Sequence, residues 1–164
     1  MSQLTNMNSF KPDIAIGDLD LNYFGGENVV TVKVDPTDTT NKFYAGQGVI
    51  LKDCGADDVA GAPIVGVRSG DTIAIFGVRK RSLKESYNEG GQTMEVAIRG
   101  AVMWFKASAA LARGVAVTLD TATPGNVKAQ STKAFLGYTL DKVAQNGMVR
   151  VMLGCDALTA GSGT

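Results

Sequence analysis

Residues 100–120, GAVMWFKASAALARGVAVTLD, set two strand-like runs on either side of a short alanine-rich break, and the length of that break constrains the whole fold. Ala101 to Phe105 is apolar without interruption, as in a strand buried on both faces. Val115, Val117 and Leu119 then alternate with Ala116, Thr118 and Asp120, the pattern of a half-buried strand. Between the runs, Ser108 is placed to cap a helical turn, Arg113 suits its last residues, and Gly114 can take the left-handed conformation that ends it. The break is about six residues, whereas a parallel crossover needs roughly a dozen. The spacing therefore predicts antiparallel neighbours, or strands that turn a barrel corner through one helical turn.

Ten candidate strands emerge from the same reasoning: 29–34, 48–52, 63–67, 71–78, 93–98, 101–106, 115–119, 126–129, 134–140 and 148–153. Asp35-Pro36, Gly61, Gly70-Asp71, Gly90-Gly91, Pro124-Gly125-Asn126 and Asn146-Gly147 supply the turns between them. The stretch 79–88 has no clear period and reads as a loop or a distorted helix. Short strands at this spacing make a barrel or a sandwich. One core is expected, built from Val102, Trp104, Val115, Val117, Leu119, Leu136, Val149, Val151 and Leu153. At 164 residues the chain fits one domain with a genuine core. There is also an internal echo: GQGVILKD (46–53) with APIVGV (62–67) parallels RGVAVTLD (113–120) with KAFLGY (133–138), each a glycine, an alternating strand, a polar loop and a returning strand with a glycine.

Sixteen basic and sixteen acidic residues give zero net charge, and 20% charged residues is below the usual quarter or so of a soluble domain. That deficit points to surface covered by another protein, and the neutral balance argues against electrostatic capture of nucleic acid. No apolar run approaches the ~18 residues that cross a bilayer, and MSQLTNMNSF lacks the basic and apolar parts of a secretory leader. A cytoplasmic site of folding is expected, with Cys54 and Cys155 as thiols.

The chain contains no histidine, which removes the commonest general base, the usual triads and most zinc sites. Asp57-Asp58 and Asp35/Asp38 are the closest carboxylate pairs, and both sit in turn-like contexts. Asp35-Pro-Thr-Asp38-Thr-Thr-Asn41 is oxygen-rich but lacks the spacing of a calcium loop. Neither Gly25-Gly26 nor Gly90-Gly91 has the surroundings of a phosphate loop. No catalytic residue, metal or cofactor is expected. The basic run Arg79-Lys80-Arg81 with Lys84 reads as a solvated face or a contact to an acidic partner, and its alternative is a nucleic-acid-binding barrel; no row of aromatics for base stacking accompanies it.

Residues 1–28 differ in character from the rest of the chain. Ile14, Ile16, Leu19, Leu21, Tyr23 and Phe24 are apolar without a helical period, and Gly25-Gly26 offers a hinge. Two readings stand: an arm that docks as an added strand on another surface, or an ordinary first strand of the domain.

From about Gly46 to Gly154 the order of motifs resembles that of the decoration, or cement, proteins of tailed-phage capsids. The residues that carry it are GQGVILKD, APIVGV followed by GDTIAIFGV, Lys84 and Tyr87 with Gly90-Gly91, then MEVAIRGAVMWFKASAALARGVAVTLD, FLGYTLDKVAQNG and the closing MVRVMLG. The resemblance implies an all-β fold, a small β-barrel or β-tulip-like domain over 29–156; the residues themselves add one short helical turn, an extended N-terminal arm over 1–28 that carries none of the family's motifs, and a tail over 157–164 that is flexible by composition. It also implies a non-enzymatic virion protein on the outer surface of an assembled shell, partnered by the major capsid protein and by itself as a homotrimer, with no membrane and no direct nucleic acid. Its interface with the capsid or a neighbouring subunit is expected at Phe10, Ile14, Ile16, Leu19, Leu21, Tyr23 and Phe24, together with Arg79, Lys80 and Arg81.

Overall fold

Short runs whose side chains alternate between inside and outside, closed by turn residues, satisfy the geometry of a small barrel wall. The computed structural model of the chain describes residues 14–20, 28–52, 61–68, 70, 72–131 and 134–154. Its strands are β1 (Val29–Val34), β2 (Phe43–Tyr44), β3 (Gly48–Leu51), β4 (Ile64–Val67), β5 (Gly77–Arg79), β6 (Tyr87–Asn88), β7 (Thr93–Ala97), β8 (Val102–Ala107), β9 (Ala116–Leu119), β10 (Asn126–Ala129), β11 (Gly137–Thr139) and β12 (Met148–Leu153). The all-β class is as expected, but the strands close into two barrels where one was anticipated: β1-β4-β3-β5-β7 and β10-β8-β12-β11-β9. The short strands β2 and β6 pair with each other beside the first barrel; they lie where the sequence shows no clear period or no strand signal.

The two barrels are topological copies. In each, the first strand runs parallel to the third and antiparallel to the last, as in β1 with β4 and β7, and in β8 with β10 and β12. The remaining pairings also correspond, β3 with β4 and β5 matching β9 with β10 and β11. Register agrees to the residue: Val49 faces Gly77 and Val117 faces Gly137, while Leu51 faces Val65 and Leu119 faces Val127. The correspondence extends beyond the walls. Phe43 bridges Asn88 in the first copy, and Leu111 bridges Val143 in the second.

Residues 108–115 contain no helical turn, which corrects the expected barrel corner. β8 and β9 are not neighbours; β10 lies between them, parallel to β8 and antiparallel to β9. The break cannot coil because its amides are spent across the structure: Leu111 N donates to Val143 O and Val143 N to Leu111 O, both at 2.9 Å. The Ser108 hydroxyl donates to Asp120 Oδ2 at 3.1 Å instead of capping a helix. Gly114 does take positive φ, 75°, at the entry to β9, matched by Gly46 at 78° before β3.

Two apolar clusters replace the single expected core. One fills the first barrel with Val32, Val34, Phe43, Val49, Val65, Met94 and Val96. The other fills the second with Met103, Phe105, Val117, Leu119, Val127, Leu136, Val149, Val151 and Leu153, and continues onto Ile75, Val78 and Ala97 from the first half, which joins the barrels through packed apolar surface. Each such side chain contributes roughly 1.5–3 kcal/mol by leaving water. Trp104 is not one of them. Along β8, Met103 and Phe105 point inward, so the parity of the strand turns Trp104 outward, half-buried, with the Arg150 guanidinium 5.7 Å from its ring centre. Val115 is likewise only half-buried.

Candidate functional site

The described part of the N-terminal segment meets the loop after β5 on one flank. Gly17 N donates to Trp104 O, Trp104 N to Asp18 O, and Asp20 N to Val102 O, each at 2.9 Å, so residues 17–20 run antiparallel along the half of β8 that β10 leaves free. Leu19 packs against the second core. Ile16 fits between two glycines, one from each half: a Cβ on Gly46 would lie 2.5 Å from Ile16 Cγ2, and one on Gly125 would clash with the same methyl. This stretch therefore ties the two barrels together. Ile14 remains 41% exposed, while Phe10, Leu21, Tyr23 and Phe24 lie outside the described residues.

The basic run is dispersed. Arg79 is 1% exposed, and its Nε donates to Asn88 Oδ1 at 2.7 Å and its Nη2 to Glu85 O at 3.1 Å. Burial lowers its pKa. It is a structural residue of the first barrel and no part of an exposed cationic patch. Lys80 Nζ pairs with Glu95 Oε2 at 2.7 Å, and Arg81 Nη1 with Asp18 Oδ2 at 3.1 Å. Arg81, Leu83 and Lys84 border an open groove of about 710 Å³, whose lining also includes Ala15, Ile16, Ala45 and the edge of the buried Arg79. Leu83 is 92% exposed at its rim, a feature that no period in the sequence signals.

A second charged group anchors the segment. Arg150 donates from Nη2 to Asp141 Oδ1 at 2.7 Å and from Nη1 to Asp20 Oδ2 at 3.0 Å. The hydrogen bond from Arg150 holds Asp141 below the usual carboxylate range, and those two carboxylates raise Arg150. The oxygen-rich turn after β1 is internally satisfied. Asp35 accepts from the Thr37 hydroxyl at 2.7 Å and the Thr37 amide at 2.9 Å, and pairs with Lys52 at 3.0 Å. These contacts, the Thr37 hydroxyl first, bring its pKa down to about 2. Asp38 is lowered chiefly by the Asn41 side chain. Asp57, Asp58, Cys54 and Cys155 lie outside the described residues. The cleft between the barrels, bounded by Gly48, Arg68, Leu119 and Asp120, holds only about 40 Å³. What the described surface offers is a groove, a leucine side chain standing in solvent and paired charges.

No family model matches the chain, and no curated protein matches its sequence. Among solved structures it is similar to the head fiber gp8.5 N base of bacteriophage phi29, with a TM-score of 0.50 and 12% identity over 77% of this chain and 92% of that one. At that identity the likeness is one of fold.

Proposed function

We propose that this chain is a structural protein of a tailed-phage virion that binds the outer surface of the assembled capsid and stabilises it, without catalysing a reaction. The observation that carries the reading is the match of fold to a phage head fiber base across nearly all of that chain, which agrees with the motif order that resembles capsid decoration proteins. The groove beside Leu83, low charge and paired surface cations support contact with protein. The alternative, nucleic-acid binding through residues 79–84, loses one of its four cations, since Arg79 is buried.

The mechanism is mass action. A protein that binds the expanded shell and not its loose subunits adds RT ln(1 + [L]/Kd) of stability at each site, about 2.7 kcal/mol at a hundredfold excess over Kd. The partner is the major capsid protein, the oligomer on the shell a homotrimer, and the location the outer surface of a virion assembled in the host cytoplasm. Sedimentation of recombinant protein with purified capsids tests this. Saturable binding at a fixed ratio, insensitive to salt, supports it. Steep loss of binding with salt would favour a phosphate-driven contact instead.

A further inference from the structure

Among the described residues, the duplication leaves one position unfilled. In the second barrel, β10 pairs with β8 only at Lys106 and Ala107, and residues 17–20 occupy the rest of that edge through the backbone of Val102 and Trp104. In the first barrel, β4 pairs with β1 only at Lys33 and Val34. Register makes Val29 and Thr31 the counterparts of Val102 and Trp104, since Thr31 faces Glu95 on β7 as Trp104 faces Arg150 on β12. Asn28 O and Val34 N bond towards the β7 side, so ladder alternation aims the amide and carbonyl of Thr31 the other way. There, among the described residues, nothing bonds to them, and Thr31 is exposed.

We propose that the Val29–Thr31 edge of β1 is a docking site for an extended, antiparallel segment of a partner polypeptide that carries a lysine or arginine opposite Glu95. The occupied edge defines the chemistry. There the inserted strand places Asp20 on Arg150, a cation that Asp141 also holds. At the matching place the first barrel carries the opposite charge: Glu95, 57% exposed, held by Lys80. An acid flanked by one cation and facing an open strand position selects a second cation, just as Arg150 selects a second carboxylate. The same inversion disfavours the 17–20 segment of another copy, whose Asp20 would meet Glu95. Main-chain pairing supplies affinity and the charge supplies selection, as in strand addition generally. The site follows from the internal register alone and stands apart from the capsid reading.

Two end-blocked peptides of residues 14–20 serve as probes, one with Asp20 retained and one with Asp20→Lys, titrated into full-length isotope-labelled protein. The lysine peptide is expected to shift the Thr31 amide, slow its hydrogen exchange, and bind about two- to fivefold more tightly than the aspartate peptide, the range of one exposed ion pair. Glu95→Arg should invert the preference. The Trp104 amide, already bonded to Asp18, should be unaffected. Thr31→Pro, which removes a donor that no described residue uses, should abolish binding; if that variant fails to fold, the inversion by Glu95→Arg decides. Equal affinities for the two peptides, or an unperturbed Thr31 amide at saturation, would overturn the proposal.

Discussion

Arg79 and Thr139 stand at the same place in the two barrels. Arg79 N donates to Gln47 O at 2.9 Å and its carbonyl accepts from Gly46 N; Thr139 N donates to Val115 O at 3.0 Å and its carbonyl accepts from Gly114 N. Both are buried polar residues, and each turns its side chain to the segments beside its barrel, Arg79 to Glu85 O before β6 and Asn88 in β6, Thr139 to Ala112 O at 2.7 Å. One fold position thus calls for a polar tether to these segments, and the two halves meet that need with different chemistry. Arg79→Ala should cost about 2–4 kcal/mol, because Asn88 is left buried without its donor. An unchanged denaturant midpoint would return Arg79 to the surface.

Gly77 and Gly137 are the second matched pair. A Cβ on Gly77 would sit 2.6 Å from Ala97 O, and one on Gly137 would clash with Met152 O. Gly137→Ala is expected to destabilise by about 1–3 kcal/mol or more through overpacking against backbone that cannot yield. Gly61→Ala, whose Cβ would meet nothing within 4 Å, should be close to neutral. Equal thermal shifts for the two would contradict this packing.

Phe105→Ala should cost about 3–5 kcal/mol as a fully buried aromatic. Trp104→Ala should cost clearly less, since the ring is half-buried beneath Arg150. The reverse order in chemical denaturation would mean that the parity of β8 is wrong.

Strands are legible in the sequence where period and turn chemistry agree, as at 29–34, 126–129 and 148–153. The duplication is visible there only in part. The echo sets GQGVILKD against RGVAVTLD one residue out of register, although Gly46 corresponds to Gly114, and a one-residue slip exchanges the two faces of a strand. It also assigns the returning strand to APIVGV, whereas the counterpart of FLGY is IFGV (75–78), which leads into β5. Repeated glycine-valine patterns and connecting loops of unequal length hide the correct partner. Two cores look like one because side-chain polarity does not say which barrel a strand closes. The outward turn of Trp104 has no sequence signal because an unbroken apolar run carries no parity. Nor does the buried state of Arg79, whose neighbours Lys80 and Arg81 make it look like one of a surface set.

Acid should destabilise the protein in a definite window. A carboxyl whose folded pKa is depressed adds stability that is complete above its unfolded value and is lost as pH falls through the folded one. For Asp35, ordinarily 3.8 and lowered to about 2, the loss falls between those values, and Asp38 and Asp141 act in the same direction. Melting temperature should therefore drop as pH falls from about 4 to about 2, less steeply in Asp35→Asn. An Asp35→Asn profile parallel to that of the parent would separate Asp35 from the acid limb.

Removing residues 1–20 takes away the bonds to Val102 and Trp104, the Asp20 and Asp18 ion pairs and the packing of Ile16 and Leu19. The isolated protein should lose about 2–4 kcal/mol. An unaltered midpoint would mean that the segment is spare and available for docking elsewhere.

Capsid binding is best measured as the ratio of this protein to major capsid protein in purified particles, together with the heat resistance of particles made with and without it. A fixed, saturable ratio and a higher melting temperature for the occupied shells are expected. Particles that lack the protein, or that melt identically in its presence at saturation, would contradict a stabilising role on the capsid.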